Sequence, residues 1–395
     1  ASRHNSDEIF ELKKQRESEE RERKAGQGQD AGAHSSSNMS RRWTASIPAS
    51  ASAPTAPAFP ITTAVAANEA RPRVTAEDLA AQPPWIPFPT PIAHRLYEAE
   101  QMVYVFRPNA SGVCDAFRFW ETERQCPLFI LRSCREVDGA LCPLIADLFG
   151  KPVALCGLLA PYDAALAAQE GADHVDDESE SASLMRWLDE QPARSVIYVA
   201  FGSEAPLTPE QVRQLAVGLE LSGARFLWAL REPSGLLIPD GFEERVAVGG
   251  RGVVRAGWVP QVRVLAHSAV GAFLTHTGWS SLMESFLFGH PLVMLPLFAD
   301  QCVTARAMAA RAVGLEVPRE EGDGSFGRDD VAAAGPAWGG RLASIIDIPL
   351  PLKRGLSPSL CMRKPGLKAL LVFPGGAQSC RVGPLNLYLF AHTVF

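Results

Sequence analysis

The sequence predicts an α/β fold whose second half is a doubly wound parallel sheet, and three observations within residues 258–301 support this. A short apolar run at 269–274 is bounded by turn residues and is typical of a buried strand. A polar loop and a helix that ends at Gly289 follow it, and residues 292–295 begin the same pattern again. Because strand, polar loop and helix recur in this order, we expect both loops at the carboxyl ends of neighbouring strands, where such sheets bind ligands.

The residues before this unit continue the same alternation. Residues 195–201 predict a strand, and a capping box with proline at the first helical position starts a helix at Pro209. Gly223 ends that helix, and residues 225–230 and 252–254 predict two further strands. These elements join the repeated unit in one predicted domain.

The rest of the chain divides by composition. The first segment is rich in Ala, Ser, Pro, Gly and Gln and cannot bury enough apolar surface to order itself. A transit peptide is the alternative there, but the acidic residues ahead of the Ala/Ser tract argue against it. The predicted divisions are a disordered low-complexity tail (1–82), a segment with a short strand at 128–131 (83–162), an acidic linker and helix (163–194), the parallel-sheet domain (195–334) and a poorly ordered tail (335–395).

Composition excludes several classes of function. A net charge of −6 gives no electrostatic footprint for nucleic acid, and the 395 residues contain no long apolar run, so no integral membrane segment is expected. The eight cysteines show neither paired nor metal-ligand spacing. We therefore expect a reduced, cytoplasmic protein without a metal site.

The loop after the strand at 269–274 carries groups that suit an anionic ligand. A helix that starts near Gly278 offers free backbone N–H groups and the positive end of its dipole. Ser280 and Ser281 stand at this start, where we expect them to cap the helix. His276, at the end of the strand, can donate a hydrogen bond to a phosphate oxygen. Together these groups predict a diphosphate site that needs no metal.

Four further residues extend the predicted site beyond the phosphates. Glu284 lies on the same side of the helix as the serines, where its carboxylate suits a ribose diol. Trp258 opens a separate polar turn, and its flat ring can stack on a base. Asp300 and Gln301 offer acceptors and a donor for sugar hydroxyls. Base, ribose, diphosphate and sugar together make up a nucleotide sugar.

Residues 258–301 resemble, without a gap, the signature box of the plant family 1 UDP-glycosyltransferases. The chain carries the following fixed positions of that box: Trp258, Pro260, Gln261, Leu265, His267, Gly271, Phe273, Thr275, His276, Gly278, Trp279, Glu284, Gly289, Pro291, Pro296, Asp300 and Gln301. Thr277 departs from the usual cysteine, and its side chain is not expected to touch the ligand. Ser280 departs from the usual asparagine and replaces an amide that reaches phosphate by a shorter hydroxyl. We expect His267 and His290 to be structural.

The resemblance implies a GT-B architecture. Residues 195–334 then form the C-terminal Rossmann-like domain that binds the UDP-sugar, and residues 83–162 form part of an incomplete N-terminal, acceptor-binding Rossmann-like domain. The co-substrate is a UDP-sugar, with no separate cofactor. The implied donor-binding residues are Ser203, Trp258, Val259, Gln261, His276, Gly278, Trp279, Ser280, Ser281, Glu284, Asp300 and Gln301.

The implied reaction transfers a sugar with inversion to a hydroxyl of a small plant metabolite or its glycoside. Gln301 indicates glucose by family tendency, and residues 84–88 and 288–291 resemble the branch that acts on flavonoid or terpenoid glycosides. Family members carry a histidine base after an N-terminal strand, with an aspartate that orients it. No such Gly-His loop occurs here, so no catalytic residue is assigned.

The sequence leaves one alternative to an active transferase open and disfavours another. A catalytically inactive remnant that binds a UDP-sugar without its general base is the alternative that stays open. A Rossmann oxidoreductase is disfavoured, because no G-x-G-x-x-G motif was recognised that follows a strand and opens a helix.

Overall fold

The structure, a computed structural model, describes residues 51–53, 73–138, 141–155, 178–202, 207–231 and 238–334. The strands are β1 (Ala51–Ala53), β2 (Phe129–Leu131), β3 (Val153–Leu155), β4 (Val196–Ala200), β5 (Arg225–Leu230), β6 (Gly252–Ala256), β7 (Val270–Thr275), β8 (Leu292–Met294) and β9 (Gly314–Glu316). The helices are α1 (Ala76–Ala80), α2 (Leu96–Met102), α3 (Asp115–Gln125), α4 (Arg135–Asp138), α5 (Leu141–Phe149), α6 (Glu178–Asp189), α7 (Pro209–Ser222), α8 (Phe242–Val248), α9 (Gln261–Ala266), α10 (Trp279–Phe288), α11 (Gln301–Ala310) and α12 (Arg328–Ala333), and a 3₁₀ turn covers Val103–Phe106.

The larger sheet holds six parallel strands in the order β6-β5-β4-β7-β8-β9. β4 pairs with both β5 and β7, so the chain winds outwards from β4 in one direction and from β7 in the other. The strand predicted at 269–274 is β7, shifted by one residue, and the strand predicted at 292–295 is β8, one residue shorter. The observed order confirms a doubly wound parallel sheet and places its switch point between the carboxyl ends of β4 and β7.

Apolar side chains cover both faces of this sheet, because successive strand residues point to opposite faces. On one face Tyr198 stacks on Phe273, with their ring centroids 5.1 Å apart. On the other face Phe226 and Trp228 are fully buried, and Phe226 stacks on Phe242 of α8. Burial on both faces explains why these strands are continuous apolar runs in the sequence rather than alternating ones.

The ends of α7 follow the predicted capping pattern. The hydroxyl of Thr208 accepts a hydrogen bond from the backbone N–H of Gln211, and the Gln211 side chain accepts one from the backbone N–H of Thr208. Pro209 occupies the first turn, and Gly223 ends the helix at φ +66°. A residue without a Cβ adopts this left-handed conformation at the lowest cost, which is why the helix ends there.

The smaller sheet is also parallel and corrects one predicted boundary. Its order is β1-β2-β3, and its β1 lies inside the segment predicted to be a disordered tail (1–82). The helix α1 lies there too, with a capping box formed by Thr75 and Asp78, and it buries Leu79. Strand pairing uses backbone groups, so a composition of small residues did not exclude it. The rest of 1–72, the stretch 156–177 and the tail 335–395 lie outside the described residues.

A buried ion pair joins the segment around α2 to the larger sheet. Both guanidinium Nη atoms of Arg306, in α11, donate to the carboxylate of Glu98, at 3.0 and 2.5 Å. The side chain of Glu98 is 1% exposed. Burial alone would raise the pKa of Glu98, but the hydrogen bonds and charge of Arg306 outweigh it and hold that pKa below its usual range. Arg95 adds a second link through Glu316, 3.1 Å away.

We expect Glu98→Gln to lower the free energy of unfolding by about 2 kcal/mol, because the guanidinium of Arg306 then lacks its counter-charge in a partly desolvated position. Urea unfolding of the full chain measures the change. The matched control is Glu100→Gln, which removes the same charge from an exposed position of the same helix and should change the free energy by less than about 0.5 kcal/mol. Equal losses in the two variants would contradict the assignment.

Candidate functional site

The imidazole of His276 lies at the switch point of the larger sheet, between two glycines. Gly202 follows β4 at φ +72°, and a Cβ added there would lie 2.8 Å from Cε1 of His276. A Cβ added at Gly278 would lie 2.4 Å from Nε2 of the same ring. Because carbon atoms do not approach a ring this closely, glycine is required at both positions to seat the imidazole.

Burial lowers the pKa of His276 to about 4, so the ring is neutral near pH 7. Its Nδ1 lies 3.5 Å from the hydroxyl of Thr275. A neutral imidazole carries one N–H and can donate one hydrogen bond to an anion without bringing a second charge. The role of His276 as a phosphate donor stays a prediction.

Stability should fall when the pH is lowered from 6.5 towards 4. Burial lowers the pKa values of His94, His276 and His290 to about 4 in each case, while the unfolded chain titrates these groups near 6.5. The unfolded state therefore binds more protons in this window, and each histidine reduces the free energy of unfolding by about 1 kcal/mol per pH unit. Urea unfolding at pH 6.5, 5.5 and 4.5 measures this, and a flat profile over that range would contradict it.

The helix α10 begins at Trp279, with Gly278 as its N-cap and without a side-chain cap. The expectation that Ser280 and Ser281 cap the helix is therefore wrong: both lie within its first turn. An N-cap residue must have non-helical backbone dihedrals, and Gly278 (φ −58°, ψ 132°) supplies these two residues earlier than the first serine. The correction leaves the first-turn N–H groups without a side-chain partner at the N-cap, as an anion site requires.

A hydrogen-bonded chain of side chains runs along one side of α10. The amide nitrogen of Gln261 donates to the carboxylate of Glu284 at 2.8 Å and to the hydroxyl of Ser281 at 3.4 Å. Its amide oxygen accepts from the hydroxyl of Tyr198 at 3.4 Å. The contacts confirm that Ser281 and Glu284 share one side of the helix, and they leave the second carboxylate oxygen of Glu284 for a ligand.

The aromatic residues of the predicted site differ in exposure. Trp258 follows β6 and is 79% exposed, so its ring faces are accessible for stacking. Val259 is buried in the core, which leaves its backbone as the part that can meet a ligand. Trp279 is 5% exposed, and its Nε1 donates to the backbone oxygen of Arg132 at 2.7 Å. The indole of Trp279 is thus part of the packing, and its backbone N–H is its contribution to the first turn of α10.

The two polar loops are joined by Thr277. Its hydroxyl donates to the backbone oxygen of Gln301 at 2.8 Å, and its own backbone lies at φ +66°. The side-chain oxygen of Gln301 accepts from the backbone N–H groups of Leu297 and Phe298, at 3.0 and 3.3 Å. This leaves the amide nitrogen of Gln301 for a sugar hydroxyl. Asp300 is partly exposed at the N-cap of α11, in the same loop.

Of the twelve predicted site residues, one lies outside the described residues and another contacts an arginine that follows β2. Ser203 lies outside the described residues. Ser280 is exposed, and its hydroxyl accepts a hydrogen bond from Nη1 of Arg132 at 2.9 Å. Sequence reasoning did not name Arg132, although it directly follows the strand predicted at 128–131, and side chains at the carboxyl ends of parallel strands are candidates for a ligand site.

His267 and His290 lie away from these loops. The Nε2 of His267 lies 3.0 Å from the carboxylate of Asp189, at the amino end of β7, and its Nδ1 accepts from the backbone N–H of Ala269. His290 is buried, with Nε2 2.6 Å from the backbone oxygen of Leu265. Both are structural, as predicted. His94 is buried 3.9 Å from the carboxylate of Glu98.

A glycine-rich segment before α12 corrects the prediction that no G-x-G-x-x-G motif precedes a helix. Residues 322–327 do have the spacing G-x-G-x-x-G and precede α12. They do not form a tight strand-to-helix turn, since five residues separate them from the end of β9. The backbone N–H of Gly327 donates to the carboxylate of Asp330 at 2.8 Å, so a side chain of the helix itself occupies this start. This geometry therefore argues against a dinucleotide site at residues 322–327.

The described residues contain neither a membrane-spanning helix nor a metal-binding cluster. None of their helices combines the length and the apolar character that spanning a bilayer requires. Nor does that part of the chain bring together three or more His, Cys, Asp or Glu side chains in a way that could hold a metal ion. Cys114 and Cys302 are free thiols.

Two parallel α/β units, with polar loops at the switch point of the larger sheet and a helix start without a side-chain cap, are typical of a Rossmann-like fold. Comparison with known proteins indicates which family the chain resembles. Residues 164–322 match the family model described as UDP-glucoronosyl and UDP-glucosyl transferase. The chain is 41% identical over 265 residues to UDP-glycosyltransferase 91B1 of Arabidopsis thaliana, a match that covers 66% of this chain and 55% of that protein.

Two further similarities extend the comparison. Soyasaponin III rhamnosyltransferase of Glycine max is 39% identical over 256 residues, which covers 64% of this chain and 53% of that protein. A UDP-glucosyltransferase from Polygonum tinctorium, capable of glucosylating indoxyl and solved in complex with 3,4-dichloroaniline, superposes with a TM-score of 0.58 at 28% identity. That match covers 77% of this chain and 64% of the other.

Over the matched region, this chain is similar to the plant UDP-glycosyltransferases, a family of UDP-dependent enzymes with the GT-B fold. The resemblance in residues 258–301 is thereby confirmed. The chain spans about half the length of the curated relatives that it matches.

Proposed function

We propose that this chain binds a UDP-sugar at the carboxyl edge of the larger sheet and transfers the sugar, with inversion, to a hydroxyl of a small plant metabolite or its glycoside. The observation that carries the proposal is the seat of His276 between Gly202 and Gly278, beside the start of α10. A neutral N–H donor and first-turn backbone N–H groups at a switch point are suited to a diphosphate. The match to the family model supports uridine as the nucleoside.

Each part of the donor then has a partner. Trp258 stacks on the uracil, and the free carboxylate oxygen of Glu284 accepts from a ribose hydroxyl. The diphosphate lies against the first turn of α10, with Ser281 and His276 beside it. Asp300 and the amide nitrogen of Gln301 hold the sugar hydroxyls. Ser203, Val259, Gly278, Trp279 and Ser280 complete the proposed set, the backbone supplying the contacts of Val259, Gly278 and Trp279.

In the proposed reaction the acceptor oxygen forms a bond to the anomeric carbon while the bond from that carbon to the UDP oxygen breaks. The acceptor proton passes to a base, and the departing charge on UDP is stabilised by the donors around the start of α10. We propose glucose as the sugar, on the identity of Gln301. Since one relative is named a rhamnosyltransferase, a UDP-rhamnose arm belongs in the test. The absence of paired cysteine spacing in the sequence supports the cytoplasm as the compartment.

A second candidate is binding of the UDP-sugar without transfer. The observation that favours it is the placement of the histidines among the described residues. His267 and His290 make hydrogen bonds away from the polar loops, and burial lowers the pKa values of His94 and His276 to about 4. A group with this pKa is a weak general base near neutral pH.

Calorimetry on the full chain with UDP-glucose, UDP-rhamnose and UDP tests the binding proposal. UDP release, measured alongside with flavonol and terpenoid glycosides as acceptors, tests the transfer. Binding together with acceptor-dependent UDP release supports the transferase, and binding without release supports the second candidate. Absence of any binding to UDP would contradict both.

A further inference from the structure

Arg132 brings a positive charge from the smaller sheet to the start of α10. It directly follows β2, at the carboxyl end of that strand. Its Nη1 donates to the hydroxyl of Ser280 at 2.9 Å, and its backbone oxygen accepts from Nε1 of Trp279 at 2.7 Å. Side chain and backbone of one residue thus contact two consecutive residues of the first turn. The guanidinium is held within one hydrogen-bond length of a proposed phosphate contact.

The chemistry of this position suits a phosphate better than a neutral ligand. A guanidinium stays protonated at all ordinary pH values and presents several N–H groups in one plane, in a geometry that matches two phosphate oxygens. Arg132 is partly exposed. A serine at position 280 is shorter than the asparagine usual there, which leaves space beside the helix start for a longer side chain.

We propose that Arg132 is a diphosphate-binding residue of the donor site, contributed by the smaller sheet. This inference rests on the proposed function and deepens it. On UDP binding, guanidinium N–H groups that now reach Ser280 donate to phosphate oxygens, and the hydroxyl of Ser280 is released to donate as well. The charge then stabilises the bound diphosphate and, as the sugar departs, the additional negative charge of free UDP.

A structural role for Arg132 makes a different prediction from a phosphate contact. The bond from Trp279 reaches the backbone oxygen of Arg132, so replacing the side chain keeps it. If the Arg132 side chain only held α10 in position, replacing it would weaken the binding of uridine, UMP and UDP by the same factor. A phosphate contact affects ligands in proportion to their phosphates and leaves the nucleoside unchanged.

The experiment compares the affinities of uridine, UMP and UDP for the full chain and for Arg132→Gln and Arg132→Lys, by calorimetry at two salt concentrations. We expect Arg132→Gln to weaken UDP binding about 30-fold, to weaken UMP binding less and to leave uridine unchanged. Arg132→Lys should recover part of the loss, because it restores charge without the planar fork. The salt dependence of UDP binding should also be smaller in Arg132→Gln.

The control is Arg118→Gln, which removes the same charge from an exposed residue of α3 that pairs with Asp115. It should leave UDP affinity unchanged. Equal UDP affinity in Arg132→Gln and the unchanged chain would overturn the role of Arg132 while the donor site stands. An equal loss of affinity for uridine and for UDP would overturn the phosphate contact and show that the Arg132 side chain only holds α10 in position. If the unchanged chain binds no UDP, the donor site and the role of Arg132 both fall.

Discussion

Gly278→Ala is expected to weaken UDP-sugar binding at least about 100-fold. The new Cβ would lie 2.4 Å from Nε2 and 2.9 Å from Cε1 of His276. The ring cannot move aside freely, because Gly202 approaches it closely from the end of β4. Either His276 leaves its position or the start of α10 shifts, and in both cases the phosphate donors separate. A displacement of about 1 Å in a positioned group is enough for a loss of this size.

Calorimetry with UDP-glucose measures this loss, and thermal unfolding separates it from a failure to fold. The matched control is Gly322→Ala, since a Cβ at Gly322 meets no atom within 4 Å and its φ is not in the left-handed region. That variant should bind UDP-glucose normally. Retention of normal affinity in Gly278→Ala would contradict the seat of His276 as the centre of the site.

A double variant tests whether the loss passes through the imidazole. His276→Ala removes the ring and costs affinity by itself, but it also removes the atoms that the new Cβ would meet. Gly278→Ala should therefore add little to the loss in a His276→Ala background, so that the two effects are strongly non-additive. Additive losses would indicate that Gly278 acts through the backbone of α10 and not through the ring.

The parts of the site that the sequence predicted are those encoded within a few residues. His276, Gly278 and Glu284 lie in one strand-loop-helix unit, and apolar runs and glycines mark the ends of its elements. Local signals of this kind placed β7 and β8 within one residue of their observed bounds. The N-cap of α10 was predicted two to three residues late, because a serine is a common N-cap and Gly278 gave no side-chain signal.

The contacts that sequence reasoning missed join residues far apart in the chain. Arg132 meets Trp279 and Ser280 across 147 and 148 positions, and Tyr198 meets Gln261 across 63. No periodicity or motif reports such a pair, since it depends on how elements that are distant in the chain pack. Composition also failed for β1, because an edge strand of small residues is stabilised by backbone pairing that composition does not reveal.

Thr277 shows what a prediction about ligand contact leaves out. Its side chain was not expected to touch the ligand, and the structure places it in no proposed ligand contact. Its hydroxyl nevertheless joins the loop after β7 to the backbone of Gln301. Both polar loops of the site therefore depend on a residue that a family pattern alone would set aside as a tolerated departure.

Glu284→Gln is expected to weaken UDP binding about 50-fold, because a charged acceptor of ribose hydroxyls becomes a neutral amide and a hydrogen bond to a charged group contributes about 1.5–3 kcal/mol. The amide of Gln261, now 2.8 Å from the carboxylate, retains an acceptor if the new side chain turns its oxygen towards it. The fold should therefore keep its stability, and calorimetry should register the change in affinity alone.

A UDP analogue without ribose hydroxyls tests the same contact from the side of the ligand. The unchanged chain should bind 2′,3′-dideoxyuridine diphosphate about as weakly as Glu284→Gln binds UDP, and Glu284→Gln should lose little more on the dideoxy ligand, since the same hydrogen bonds are absent in each case. Glu243→Gln, which removes a carboxylate from an exposed position of α8, is the control and should bind UDP normally. If Glu284→Gln instead weakens both ligands by the same factor, Glu284 acts through Gln261 and not on the ribose, and the site must hold its nucleoside by the stacking of Trp258 and its phosphates by the start of α10.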